Sequence, residues 1–207
     1  DNDKALGRFF LRGKVKVDQV GEMMAIVSDV LTMVQLDNKE RFLQMALEER
    51  AGHEAGLVPG GNGVVALRLR AQFAEDGWIS EKMEGISYLF FLRKLVEEID
   101  SDWSGVLEKL EELRGHLVNR KSLLCNATFP DSDRHLFEGA FKGLVESLPE
   151  VDQVPVKWEP QFEGKSEGLV CPAPVNFVGK AVNIYDLGYE FHGSIAVITR
   201  YLRNSWL

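Results

Sequence analysis

Between Asp18 and Leu148 the apolar residues recur three and four apart in segment after segment, and at Pro149 that pattern stops. A 3.6-residue period places apolar side chains on one face of a helix, so a chain written this way must pack helices against each other. In "DQVGEMMAIVSDVLTMVQ" the stripe is Val20, Met23, Met24, Val27, Val30, Leu31 and Val34, with Asp18 as a candidate N-cap. "LDNKERFLQMALEERAGHEAG" restarts a helix behind a capping box of Asp37 and Glu40, and Gly56 or "VPGGNG" ends it. "VVALRLRAQF" and "GISYLFFLRKLVEEID" continue the series. The second is apolar almost all round (Tyr88, Leu89, Phe90, Phe91, Leu92, Leu95, Val96, Ile99), which predicts a central, buried helix. Asp102 caps a helix carrying Val106, Leu110, Leu113 and Leu117. Asp131 or Asp133 opens another, with Leu136, Phe137, Ala140, Phe141, Leu144 and Leu148 facing inward.

Strand character is expected at three places. "RFFLRGKVK" would point Phe9, Leu11 and Val15 one way, "SLLCNATF" is a second candidate, and "GLVCPAPVNFVGKAVNIYDL" alternates Val and aromatic residues between turn-formers. Pro149, Pro155, Pro160, Pro172 and Pro174 fall within 26 residues, a density that reads as extended connection. The expected fold class is therefore α+β, predominantly helical: a helical layer with a small incomplete sheet. The expected organisation is a helical unit over 1–148, a Pro-rich linker over 149–167, and the opening strands and first helix of a second unit over 168–207. So short a second unit should lean on the first, or on further chain. Its helix carries Ile195, Ile198, Tyr201, Leu202 and Trp206 in one stripe, and the sequence stops on Trp206-Leu207 inside it. That ending is expected of a piece cut from a longer protein, and the open stripe allows the isolated segment to self-associate.

Charge narrows the partners. The net charge is −8, and Lys and Arg are scattered, so the basic stripe that nucleic acid requires is missing and anionic lipid is disfavoured. No apolar run approaches the ~20 residues that span a bilayer. Cys125 and Cys171 do not make a disulfide framework, which favours a reducing compartment, a bacterial cytoplasm or an organelle matrix. Asn126-Ala-Thr128 matches a glycosylation sequon, a triplet common by chance.

Catalytic chemistry leaves no trace. His53, His116, His135 and His192 lie in no zinc spacing: His53-Glu54 is followed by Leu57 where a second histidine would complete H-E-x-x-H. No G-x-S-x-G occurs, and "VPGGNG" lacks the Lys-Ser/Thr of a phosphate loop. Glu48-Glu49, Glu97-Glu98 and Glu111-Glu112 read as solvated helix faces. No catalytic or metal-ligating residue is therefore assigned, and substrate-binding residues stay unknown.

Five stretches, "RFFLRGK", "LDNKERFLQMALEERA", "SYLFFLRKL", "LEELRGHLVNR" and above all "PVNFVGKAVNIYDLGYEFHGSIAVITRYLRNSWL", together resemble the presequence protease branch of the pitrilysin/insulysin zinc metallopeptidases. The likeness runs in register from about Leu6 to the last residue. Members of that family are several times this length and carry four homologous α+β domains, whose two halves close around a peptide-degrading chamber. The resemblance places this chain in the later part of the third domain and the start of the fourth. It implies a Zn2+ ion in the parent protein, held by an H-x-x-E-H motif and a further Glu in the first domain, upstream of these residues. There zinc would activate a water and the motif's Glu would act as general base on an unfolded peptide. An Arg and a Tyr of a Gly-rich stretch would follow Leu207. Implied for this segment are chamber wall and domain-closure surface, no cofactor of its own, and as partners the remaining domains and unfolded peptides such as cleaved presequences. The alternative is a catalytically inactive helical scaffold of the same fold. One departure is Asn62 in "PGGNG", where the family often has His; Asn suits a turn of positive φ.

Overall fold

The computed structural model describes residues 7–152, 158–162 and 164–205. Among them are α1 (Val20–Thr32), α2 (Lys39–Leu57), α3 (Gly61–Arg70), α4 (Glu75–Glu84), α5 (Ile86–Ser101), α6 (Trp103–Leu117), α7 (Arg134–Ser147) and α8 (Ser194–Ser205). Trp206 and Leu207 of the terminal stripe and Pro155 of the proline-rich stretch lie outside the described residues.

Two packed groups emerge. α5 is the hub of the larger one, lying against α2, α4 and α6, while α3 bridges α2 and α4. Ala46, Ile99 and Val106 form its centre, with Phe42, Leu43, Leu95, Val96, Trp103 and Leu110 packed around them. α1 and α7 make the second group by facing each other, burying Met24 and Leu144. Arg114 of α6 ties the two together by donating to the Val34 carbonyl at 2.9 Å.

A clasp closes the excursion that contains α7. Asn119, 2% exposed, donates through Nδ2 to the Val151 carbonyl at 2.6 Å. Its Oδ1 accepts the N–H groups of Lys121 and Val151 at 3.1 and 3.3 Å. Arg120 N–H donates to the Pro149 carbonyl at 3.0 Å, and Arg120 and Lys121 both pair with Glu150. Removing a buried amide strands its partners away from water. Asn119→Ala should therefore cost about 2 kcal/mol, read as a lower urea midpoint at unchanged slope.

The expected sheet is not there. Among the described residues no strand occurs, so the α+β class gives way to an all-helical one. The three stretches expected as strands are extended or irregular. A strand exists only where a second backbone takes its N–H and C=O groups, and β-propensity alone does not supply one. Phe9 and Phe10, which an alternating strand would put on opposite faces, are both exposed, as is Leu124. Over 169–187 the backbone makes only local turns, such as Ala173 N–H to the Cys171 carbonyl and Leu187 N–H to the Ile184 carbonyl.

Smaller expectations also shift. A 3-10 turn, Val17–Gln19, precedes α1, and the N-cap position is Gln19 with no side-chain cap, so Asp18 does not cap. α2 is capped one residue late: Asn38 Oδ1, not Asp37, accepts the Arg41 N–H at 3.0 Å. Asp102 caps α6 as expected, accepting from Gly105 N–H at 3.0 Å. α5 is buried along one face only, since Phe90 and Phe91 stand half in solvent. Asn62 lies in the first turn of α3, and no non-glycine residue described has positive φ, so its turn reading fails.

The accessible surface is large. At 16341 Å² it far exceeds the roughly 9,700 Å² of a compact monomer of this mass. Ile26 and Met33 on α1, and Val197 and Tyr201 on α8, are among the apolar side chains left in water.

Candidate functional site

The side chains that ordinarily carry chemistry are dispersed. His53 sets its ring edge-on to Tyr88 at 5.4 Å, and His116 lies 3.7 Å from Glu112. His135 Nδ1 sits 3.1 Å from the Ser132 carbonyl, and His192 Nδ1 accepts from Ser194 N–H at 3.2 Å. Cys125 and Cys171 are free and exposed, and partial burial pushes the Cys125 thiol up. Among the described residues no group of three or more His, Cys, Asp or Glu is placed to hold a metal ion. A resident zinc therefore does not fit the side chains described. The carboxylate pairs do face solvent. Glu98 meets Lys94 and Lys109 at 3.1 and 3.3 Å, and such exposed pairs contribute little.

One polar cluster is built differently. Glu81 of α4 is 2% exposed. Its Oε1 accepts from Arg68 Nη1 at 3.0 Å, Ser87 N–H at 3.0 Å and Ser87 Oγ at 3.3 Å. Its Oε2 is buried without a partner among the described residues. Gly85 is required beside it, because a Cβ there would collide with Oε2. Arg68 of α3 turns its other edge to Glu167, through Nε at 2.5 Å and Nη2 at 3.2 Å. One guanidinium thus joins a buried carboxylate of the helical body to a carboxylate 99 residues further along the chain.

Around Glu167 a strap of chain lies on α3 and α4. Trp158 Nε1 donates to Glu75 at 2.7 Å. Gln72 and the Lys165 backbone exchange two hydrogen bonds, at 3.1 and 3.2 Å. Phe177 covers Gly61 so closely that a Cβ on that glycine would collide with its ring, and Gly179 rests on Val65 and Leu69.

Electrostatics couple the strap to pH. The hydrogen bond from Arg68 holds the Glu167 carboxyl below its ordinary range, and the same bond raises Arg68. A carboxyl lowered on folding contributes stability above its unfolded value and loses it as pH falls through the folded one. Strap contacts should accordingly persist at neutral pH and weaken in acid, below the ordinary carboxylate range. Trp158 fluorescence followed from pH 7 downward (at about 0.1 M salt) checks this, and an acid-insensitive signal would contradict it.

Sequence reasoning singles out none of Arg68, Glu81, Ser87 and Glu167. A faint signal exists in "LRLR", where arginines interrupt an apolar helix; Glu167 has none.

Comparison with known proteins gives this geometry a context. A family model for the associated region of the subfamily C pitrilysin-type peptidases matches residues 1–95, and one described as PreP C-terminal domain matches residues 166–207. Presequence protease 1, chloroplastic/mitochondrial, of Arabidopsis thaliana is 34% identical over 206 residues, 99% of this chain and 19% of that protein. Protein HypA of Clostridium perfringens (strain 13 / Type A) is 21% identical over 194 residues, 94% of this chain and 20% of that protein. This chain belongs to the presequence protease branch of the pitrilysin family. It spans about a fifth of the length of these relatives. Within the presequence protease frame, Arg68, Glu81 and Ser87 fall in the first matched region and Glu167 in the second, so the clamp joins the two.

Proposed function

We propose that this chain is a non-catalytic, helical segment of a zinc metallopeptidase that degrades unfolded peptides, including cleaved targeting sequences, and that it supplies chamber wall and domain-closure surface. The carrying observation is collinear similarity: 34% identity to a presequence protease across 206 residues, with the two family models met in order. On this reading residues 1–148 belong to a third peptidase-like domain, 149–167 connect, and 168–207 begin a fourth. The zinc of the parent protein is held by residues outside this chain. The other domains of the peptidase are the partners that cover the excess surface and the open apolar residues of α1 and α8. An isolated segment with α8 open would tend to self-associate, in a concentration-dependent way. No helix among the described residues is long and apolar enough to cross a membrane. The parent would work in a bacterial cytoplasm or an organelle matrix.

The net charge of −8 supports a wall that favours basic peptides. In the full-length protein, KM for a basic unfolded peptide should rise with ionic strength while that for a neutral peptide stays level. Equal salt responses would sink the charged-wall part. A full-length protein without zinc and without cleavage would leave the inactive scaffold as the reading.

A further inference from the structure

We infer that Arg68 is a two-position fork. With the strap down it holds Glu167; with the strap lifted it closes on both oxygens of Glu81, which makes the contact between the two matched regions a releasable clamp.

The orphan oxygen carries this inference. Glu81 is buried, yet three donors crowd onto Oε1 and, among the described residues, none reaches Oε2. A buried carboxylate oxygen without a donor is costly, and native structures retain few of them. Arg68 has the means to satisfy it, because a guanidinium presents two parallel N–H groups to a carboxylate when both are available. Here it gives Glu81 only Nη1 and spends its Nε–Nη2 edge on Glu167. The unsatisfied Oε2 is thus the half of the fork that the docked strap takes away. Lifting the strap exchanges one charge-assisted pair for another, and two states of similar energy are what a switchable contact needs. The rest of the strap interface is small, consisting of the Trp158–Glu75 bond, the Gln72–Lys165 pair and the Phe177 and Gly179 contacts. Arg68 lies at the boundary, its side chain 33% exposed against 3% for Glu81, so one edge faces the interior and the other the strap. Release would free the chain that leads to α8, and so would change how the two regions are held. This goes beyond the peptidase reading and does not depend on it.

The test uses the whole 207-residue chain carrying Glu167→Gln, with Glu167→Ala as a second variant that removes the residual amide. Hydrogen exchange of residues 158–179 should speed up about tenfold or more, while α2 and α5 change less than about twofold. A crystal structure of the variant should show Arg68 donating to both Oε1 and Oε2 of Glu81. Unchanged strap protection in both variants would overturn the clamp. A loosened strap with Oε2 still unpartnered would overturn the fork.

Discussion

Ile99→Ala will destabilise the chain by about 4 kcal/mol, the largest loss we expect from a single truncation. Ile99 is fully buried, and it sits where α5 meets α2 and α6. Ala46 and Val106 complete the buried cluster, and Phe42, Leu95 and Trp103 pack against it. Deleting its side chain removes apolar contacts and leaves a cavity between helices pinned on both sides by aromatic rings, Phe42 and Trp103 lying 5.8 Å apart. Ile99→Val, which removes one methylene, should cost only about 1 kcal/mol. Urea denaturation checks both, with the midpoint moving and the slope constant. Phe91, half exposed on the same helix, is the contrast, and Phe91→Ala should fall well below Ile99→Ala. Equal losses at the two positions would mean that the core is not where the helix contacts put it.

Arg68→Met should cost about 3 kcal/mol. The substitution keeps much of the aliphatic stem and removes the cation from a carboxylate that has no access to water. Breaking a buried pair from one side is worse than deleting it, because the remaining charge stays desolvated. The double variant Arg68→Met/Glu81→Leu should therefore recover most of the loss, though Ser87 N–H then loses its acceptor. Arg68→Lys should lie between, since an ammonium keeps the charge but cannot span two carboxylates as a planar fork. If Arg68→Met costs less than about 1 kcal/mol, the pair behaves as a surface salt bridge and the burial of Glu81 is not a constraint.

Helices are legible where the stripe is local. α5 and α7 announce themselves because the 3.6 period needs only neighbours in sequence. α4 escapes for the same reason in reverse. "EDGWISEKME" has few apolar residues, and what it buries is Gly77 and Glu81, a glycine and a charge. The strands expected at 8–16, 123–130 and 169–187 do not form because pairing is non-local, and the alternation of Phe9, Leu11 and Val15 says nothing about a partner. Asn38 and Asp37 differ by one residue as caps, a choice that depends on backbone angles the sequence does not display. The clamp is illegible for a topological reason: Arg68 and Glu167 are 99 residues apart, and Trp158 and Glu75 are 83 apart. What the sequence does carry is kinship, through short words kept in order from the helical body into the last helix.

Metal content and peptide cleavage, measured side by side on the isolated chain and on the full-length protein, test the central claim most directly. The account predicts zinc at one per molecule and hydrolysis of an unfolded peptide by the full-length protein, with neither in the isolated chain. Stoichiometric zinc with cleavage by these 207 residues alone would contradict it.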